Sequence, residues 1–346
     1  MTQRLRELII RFKDLRVVVF GDFMVDEYLF GEISRVSREA PVLILRYQET
    51  KTRPGGAANT LANVADLGAC ATPVGFVGDD ARGRLLGDLW PPSVKLDYLY
   101  REPLFSTTCK TRILAGSFHS YQQQVVRIDY EHKIELDHEH EKRIVESLRD
   151  LCPSSDALIV SDYSLGNLTP ALRREAVLTG RRAGIPVVVD SRDHSARYPE
   201  ATCVTPNITE VESSIGESMS HDLSILEKTG AELRRRWQVE SLLVTRGKLG
   251  MSLFLDGGFY HIPPFGSADA VDVSGAGDTV AATCATALAA GASFYEAALL
   301  ANCAGGLVVM KKGTATVATD ELLEAVKKLE ETPVHPERDR KGLMER

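Results

Sequence analysis

The chain has 346 residues, 44% of them hydrophobic and 26% charged, enough to bury one large core or two smaller ones. A formal net charge of −7 argues against general affinity for nucleic acid or an anionic membrane, so an anionic ligand must be met by local cations or backbone amides. No stretch of about 18 apolar residues suggests a membrane span, and the six cysteines form no C-x-x-C pattern, which suits reduced, buried thiols and a cytoplasmic protein.

Taken in chain order, Met1 to Lys13 alternates charges with Leu and Ile as an amphipathic helix does. Arg16 to Phe20 is a β-branched run of the kind found in buried parallel strands, ending in Gly21-Asp22. Open α/β sheets bind ligands outside their strand ends, so Asp22 is a candidate substrate contact; a turn or cap is its alternative role. Phe23 to Arg53 is β-rich, punctuated by Gly31 and Pro41, and predicts an antiparallel excursion rather than a crossover helix. Gly55-Gly56-Ala57-Ala58-Asn59 then opens a helix that Gly68 closes. Gly55, Gly56 and Asn59 can present amides and a side chain to sugar hydroxyls, although a Gly pair before a helix is often only a turn.

Cys70 to Gly78 predicts a strand, and Thr107 to Asp129 a second β-rich excursion. The latter carries Lys110, Arg112 and Arg127; with Arg35 and Arg53 these form a candidate anionic-ligand pocket, the alternative being a solvated strand face. His132, His138 and His140 lie in a charged linker and helix start, and the spacing of the last two does not place them on one helix face as metal ligands. From Ser155 on, the strands 157–161, 186–190, 202–205 and 242–245 alternate with helices at 170–183, 223–236, 294–311 and 320–330. That alternation predicts βαβ units and a mostly parallel sheet covered on both faces. Between them, Asn207-Ile208-Thr209-Glu210 follows a strand and opens a helix, either as a plain cap or as a water-mediated Mg²⁺ site. Met251 to Pro263 reads as a hairpin turning at Asp256-Gly257-Gly258.

The most informative stretch is Asp272-Val273-Ser274-Gly275-Ala276-Gly277-Asp278, which precedes a wholly apolar run, Thr279 to Ala290. The run predicts a buried helix, so the amides of Gly275, Ala276 and Gly277 stand at a helix N-terminus suited to an anion. A carboxylate beside such a site repels the anion unless it has a task. For Asp278 that task is taking the proton of an attacking hydroxyl. A Gly-rich packing turn and a dinucleotide loop are the alternatives; the latter lacks a third glycine, Val280 standing in its place. No G-x-x-x-x-G-K-[ST] sequence and no H-R-D/D-F-G pair is present, so phosphate chemistry needs this different cradle.

In combination and in this order, the motifs resemble the PfkB/ribokinase family of sugar kinases over residues 14–330. Asp272–Asp278 resembles the family's second signature, with Asp278 at the catalytic base, and Gly55–Asn59 its first. Asn207-x-x-Glu210 resembles the magnesium-associated motif, Thr245-Arg246-Gly247 a strand end near the nucleotide, and Asn302 a position near adenine. The resemblance implies a ribokinase-like α/β fold, with a mostly parallel central sheet, helices on both faces and a small β lid. The lid comprises the excursions at 23–53 and 107–129, in one kinase domain over 1–330 followed by a charged tail at 331–346. It further implies ATP and Mg²⁺, with a monovalent cation optional, a small sugar or sugar phosphate as partner, and a homodimer.

Gly21–Asp26, Ser34–Val42, Arg53–Asn59 and Ser161-Asp162-Tyr163 also resemble the family's heptose-7-phosphate kinase branch, which in many members is fused to a cytidylyltransferase-like domain; the chain is expected to carry the kinase alone. Leu165 and Ser191-Arg192 depart from that branch, which has lysine at the first place and Pro-Lys at the second. Kinases of fructose-type or ribose-type sugars, and a non-catalytic sugar- or nucleotide-binding regulator, are the alternatives.

Overall fold

A computed structural model describes residues 1–116, 123–193, 197–219, 222–266 and 270–331. The chain opens with α1 (Thr2–Arg11), β1 (Arg16–Gly21), β2 (Phe23–Val36), β3 (Leu43–Gly56), α2 (Ala57–Asp66), β4 (Cys70–Gly78), α3 (Ala81–Asp88) and β5 (Leu99–Glu102). It continues with β6 (Cys109–Gly116), β7 (Gln123–Tyr130), α4 (His138–Leu151), β8 (Ala157–Asp162), α5 (Pro170–Ala183), β9 (Val187–Ser191) and β10 (Cys203–Val204). The last part holds α6 (Ile208–Ile215), α7 (Leu223–Trp237), β11 (Ser241–Thr245), β12 (Met251–Leu255), β13 (Gly258–Ile262), α8 (Ala276–Ala289), α9 (Phe294–Val308) and α10 (Thr319–Glu331).

Nine strands form one sheet in the order β13-β12-β11-β10-β9-β8-β1-β4-β5. From β5 to β11 the pairing is parallel, and the β12–β13 hairpin closes one edge antiparallel. Both faces are covered, as the β-branched runs require. Along β1, Val17 and Val19 point into the core shared with Leu61 of α2 and Ala281 of α8, whereas Val18 and Phe20 point into the core shared with Ile144 of α4 and Leu172 of α5. The chain leaves β1 for β4 on one side and returns through β8 on the other. The strand order thus reverses beside β1, and a crevice opens there at the carboxyl ends.

The second sheet has the order β3-β2-β6-β7, with β2 antiparallel to β3 and parallel to β6. It is built from the two β-rich excursions, of which residues 117–122 lie outside the described part, as does the tail beyond 331. α3 and β5 lie outside the elements the sequence reading assigned. Each is short, and α3 carries two glycines, so neither builds a periodic apolar pattern. Among the described residues no helix is long and apolar enough to cross a membrane. All six cysteines are unbridged.

Candidate active site

The turn before α8 separates two cavities. Gly275 and Asp278 face one of about 420 Å³ that lies under the lid. Ala276 and Gly277 face the other, of about 370 Å³, which lies over the ends of β9 to β11. Gly275 caps α8 in the left-handed region, φ 78°, and a Cβ there would stand 2.6 Å from Asn59 Nδ2. Only glycine allows that turn to be both left-handed and close-packed.

Asp278 is 2% exposed. Its Oδ1 accepts from the Tyr163 hydroxyl at 2.7 Å and from Thr60 at 3.3 Å, and its Oδ2 accepts from Asn59 Nδ2 at 2.8 Å. A carboxylate has roughly four acceptor positions, so these three donors orient it and leave one. Burial, reinforced by the charge of Asp190, lifts its pKa to about 7 against the opposing pull of Asn59, Tyr163 and Arg192. An oriented carboxylate that titrates near neutrality is suited to general-base work.

The cavity under the lid is also lined by Asp26, Gly56, Lys110, Arg112, Arg127 and Thr314. Arg112 Nη1 bonds Asp26 Oδ1 at 2.7 Å, and Thr314 donates to Asp26 Oδ2 at 2.8 Å. Lys110 pairs with Glu131 at 3.3 Å and Arg127 with Asp129 at 2.8 Å.

Several expected contacts stand elsewhere. Asp22 does not line either cavity: its carboxylate accepts the backbone N–H groups of Tyr163, Leu165 and Asn167 at 2.9 to 3.1 Å and ties down the loop after β8. Burial, with Asp162 adding to it, raises its pKa to about 6 in spite of those bonds. The carboxylate that lines the cavity is Asp26, four residues on, together with Met24. Strand alternation was the signal for it, because β2 sends Met24, Asp26 and Tyr28 to one face. Asn59 points to Asp278 rather than into the cavity, and Gly55 backs Asp26, with its Cβ position 3.0 Å from the carboxyl carbon. Arg53 lines a neighbouring cavity with Lys51 and Lys312. Arg35 is exposed near the far end of β2; nine residues beyond Asp26, it stands roughly 30 Å along the strand and is not brought to the cavity of its own chain.

On the other side of the turn, Asn207, Glu210, Thr245, Gly247 and Asn302 line one cavity, as the sequence reading grouped them. Asn207 and Glu210 also form a reciprocal capping box at 2.8 and 2.9 Å, so the plain cap is present together with cavity exposure. Ile208 and Thr209 do not line it. At three residues' spacing Asn207 and Glu210 share a face, while Ile208 turns to the core and Thr209 to solvent.

Two residues join this side that sequence reasoning did not single out as site residues. Asp190, at the end of β9, is 3% exposed, and its Oδ2 has no hydrogen-bond partner. Burial raises its pKa to about 6, with Arg192 opposing and Glu210 adding to the rise. Arg192 bridges to Glu210 at 3.2 Å.

The profile of the pfkB family carbohydrate kinases matches residues 14–321. The chain is 40% identical over 316 residues to the bifunctional protein HldE of Chromohalobacter salexigens, covering 90% of this chain and 63% of that one. It is 39% identical over 319 residues to the HldE of Pelobacter propionicus, covering 91% and 64%. It thus spans under two thirds of the length of these relatives. Among solved structures, phosphofructokinase-2 from Escherichia coli in complex with substrates and products superposes with a TM-score of 0.72 at 18% identity, covering 91% of this chain and 100% of that one. Arabidopsis thaliana ribokinase complexed with ribose and ATP superposes at 0.68 and 20% identity, covering 90% and 99%. With the fold, the Gly-rich turn and 308 matched residues in agreement, the chain belongs to the pfkB family of carbohydrate kinases and is a sugar kinase of ribokinase-like fold.

Proposed function

We propose that this kinase transfers the γ-phosphoryl group of ATP to the 1-hydroxyl of D-glycero-β-D-manno-heptose 7-phosphate, giving the 1,7-bisphosphate. The observation that carries the substrate reading is the cationic cavity: Lys110, Arg112 and Arg127 line the space in front of Asp278, where a neutral sugar needs few positive groups. The similarity to HldE and the motifs shared with the heptose-phosphate branch support the same substrate.

In this reading the sugar lies under the lid and ATP over the ends of β9 to β11. Asp278 takes the proton of the attacking hydroxyl. The sugar oxygen forms its bond to the γ-phosphorus while the bond to the β–γ bridging oxygen breaks, releasing ADP. The amides of Gly275 to Gly277 face the charge on the group in transit. Asn59 and Thr60 hold the base at fixed orientation.

The residues present fit Mg²⁺. Asp190 offers a buried oxygen without a partner, and Glu210 and Asn207 line the same cavity. Few protein donors suffice for Mg²⁺, because it keeps most of its water. When bound, Mg²⁺ neutralises phosphate charge; Asp190, Glu210 and Asn207 would hold its water shell.

The lid's exposed apolar side chains, among them Val36, Val42, Tyr47 and Val126, make a second copy of the chain the fitting cover, hence a homodimer through the lids. A phosphorylation screen over phosphorylated and unphosphorylated heptoses, hexoses and pentoses tests the substrate. Turnover of heptose 7-phosphate above all others is expected, and reaction with unphosphorylated sugars alone overturns the assignment.

A further inference from the structure

Among the described residues, Arg192 is the one charged residue that lines both cavities. It follows β9, and its backbone N–H donates to the carbonyl of Asp162 at 2.8 Å, which anchors the base of the side chain to the neighbouring strand. The guanidinium lies 5.2 Å over the ring of Tyr163, the residue that donates to Asp278. Its Nη2 stands 3.8 Å from where a Cβ on Gly277 would be, so it faces the amide turn directly. Nη1 sits 3.2 Å from Glu210, yet the side chain is 41% exposed, and that exposure opens into the cavities. A guanidinium has five N–H donors in a fork; the pair with Glu210 is made through Nη1, while Nη2 stands on the Gly277 side.

The electrostatics of that junction call for a mobile cation. Asp190, Glu210 and Asp278 all border it, and a triphosphate brought among them meets repulsion from each. Lys248 lines the nucleotide side alone, and Lys110, Arg112 and Arg127 the sugar side alone. From the sugar-kinase reading of this site we infer that Arg192 is a catalytic cation: with both substrates bound, its guanidinium leaves Glu210 and donates to oxygens of the phosphoryl group passing between the cavities. It stays protonated throughout and makes no covalent bond. Its stacking on Tyr163 limits the swing to the arc between Glu210 and the amide turn.

The test is steady-state kinetics of Arg192→Met and Arg192→Ala, with melting temperature measured alongside, on whichever sugar the wild type phosphorylates. Failure on heptose 7-phosphate with success on another sugar overturns the substrate reading, and the role of Arg192 is then decided on the accepted sugar. The expected result for both variants is a kcat lower by about 10²–10³-fold with either KM within about threefold, since the contact is made in the transition state. Guanidinium chloride in the millimolar range should restore Arg192→Ala saturably, whereas potassium chloride at equal ionic strength should not. Arg192→Lys keeps a cation without the fork and should fall between. Three results overturn the inference: a kcat within about threefold of wild type, a rise in sugar KM at unchanged kcat, or a kcat loss that tracks a lowered melting temperature and is not rescued by guanidinium.

Discussion

The strand ends of the large sheet and the inner face of the lid border one cavity, but they hold their charges in opposite ways. On the sheet side Asp22, Asp190 and Asp278 are all buried, and desolvation raises all three carboxyl pKa values. On the lid side each cation has its own acid: Arg112 with Asp26, Lys110 with Glu131, Arg127 with Asp129. The sheet side holds its acids out of water, and the lid pairs each cation lining the cavity with an acid. Changes on the sheet side should therefore act on turnover or stability, and changes on the lid on substrate affinity.

The largest effect is expected at Asp278. Asp278→Asn should lower kcat by about 10²–10⁴ while ATP binding and melting temperature stay near wild type. Turnover within tenfold would remove the residue from the role of base. The same group should set the pH dependence. As the proposed base it would act deprotonated, and its pKa is raised to about 7, so wild-type kcat/KM should climb about tenfold per pH unit below that value and level off above it. A profile flat down to pH 5 would contradict the assignment.

Asp22→Ala comes next, and its effect is on stability. Three backbone N–H groups in the loop after β8, two of them buried and one part-buried, lose their acceptor, costing about 3 kcal/mol in urea unfolding. A loss of activity without a loss of stability would return Asp22 to the substrate. On the lid, Arg112→Ala should raise KM for the sugar phosphate by about 10–100-fold, the worth of a charged hydrogen bond, with little change in kcat. A kcat-only effect would break the contrast between the two sides.

Glu210→Gln is milder. Glutamine keeps the capping box, so the fold should hold while the Mg²⁺ concentration for half-maximal rate rises several-fold. An unchanged titration leaves the tetrad as a cap alone. The smallest effect belongs to Arg35→Ala, which should alter sugar KM by less than about twofold, because roughly 30 Å of strand separates it from Asp26. A larger change would mean that a second subunit brings it into a site.

Much of this molecule was legible in one dimension. Cys70–Gly78 and Pro170–Ala183 form their elements at the expected residues, since hydrophobic period and turn chemistry act over a few neighbours. The same locality revealed the turn before α8, where Gly275 and Asp278 stand within four residues of one another. Short elements such as β5 carried too few residues to show a period. What only the tertiary structure decided is which polar groups meet. Asp22 and Asp26 are both carboxylates at the start of the lid, yet one is consumed by a loop 141 to 145 residues away and the other lines the cavity. Tyr163 reaches Asp278 across 115 positions, and Arg192 reaches both cavities only because β9 lies between β8 and β10. Local pattern sets where a strand ends and that a polar residue stands there. The partner of that residue is chosen by strands and helices that come together only when the sheet is assembled.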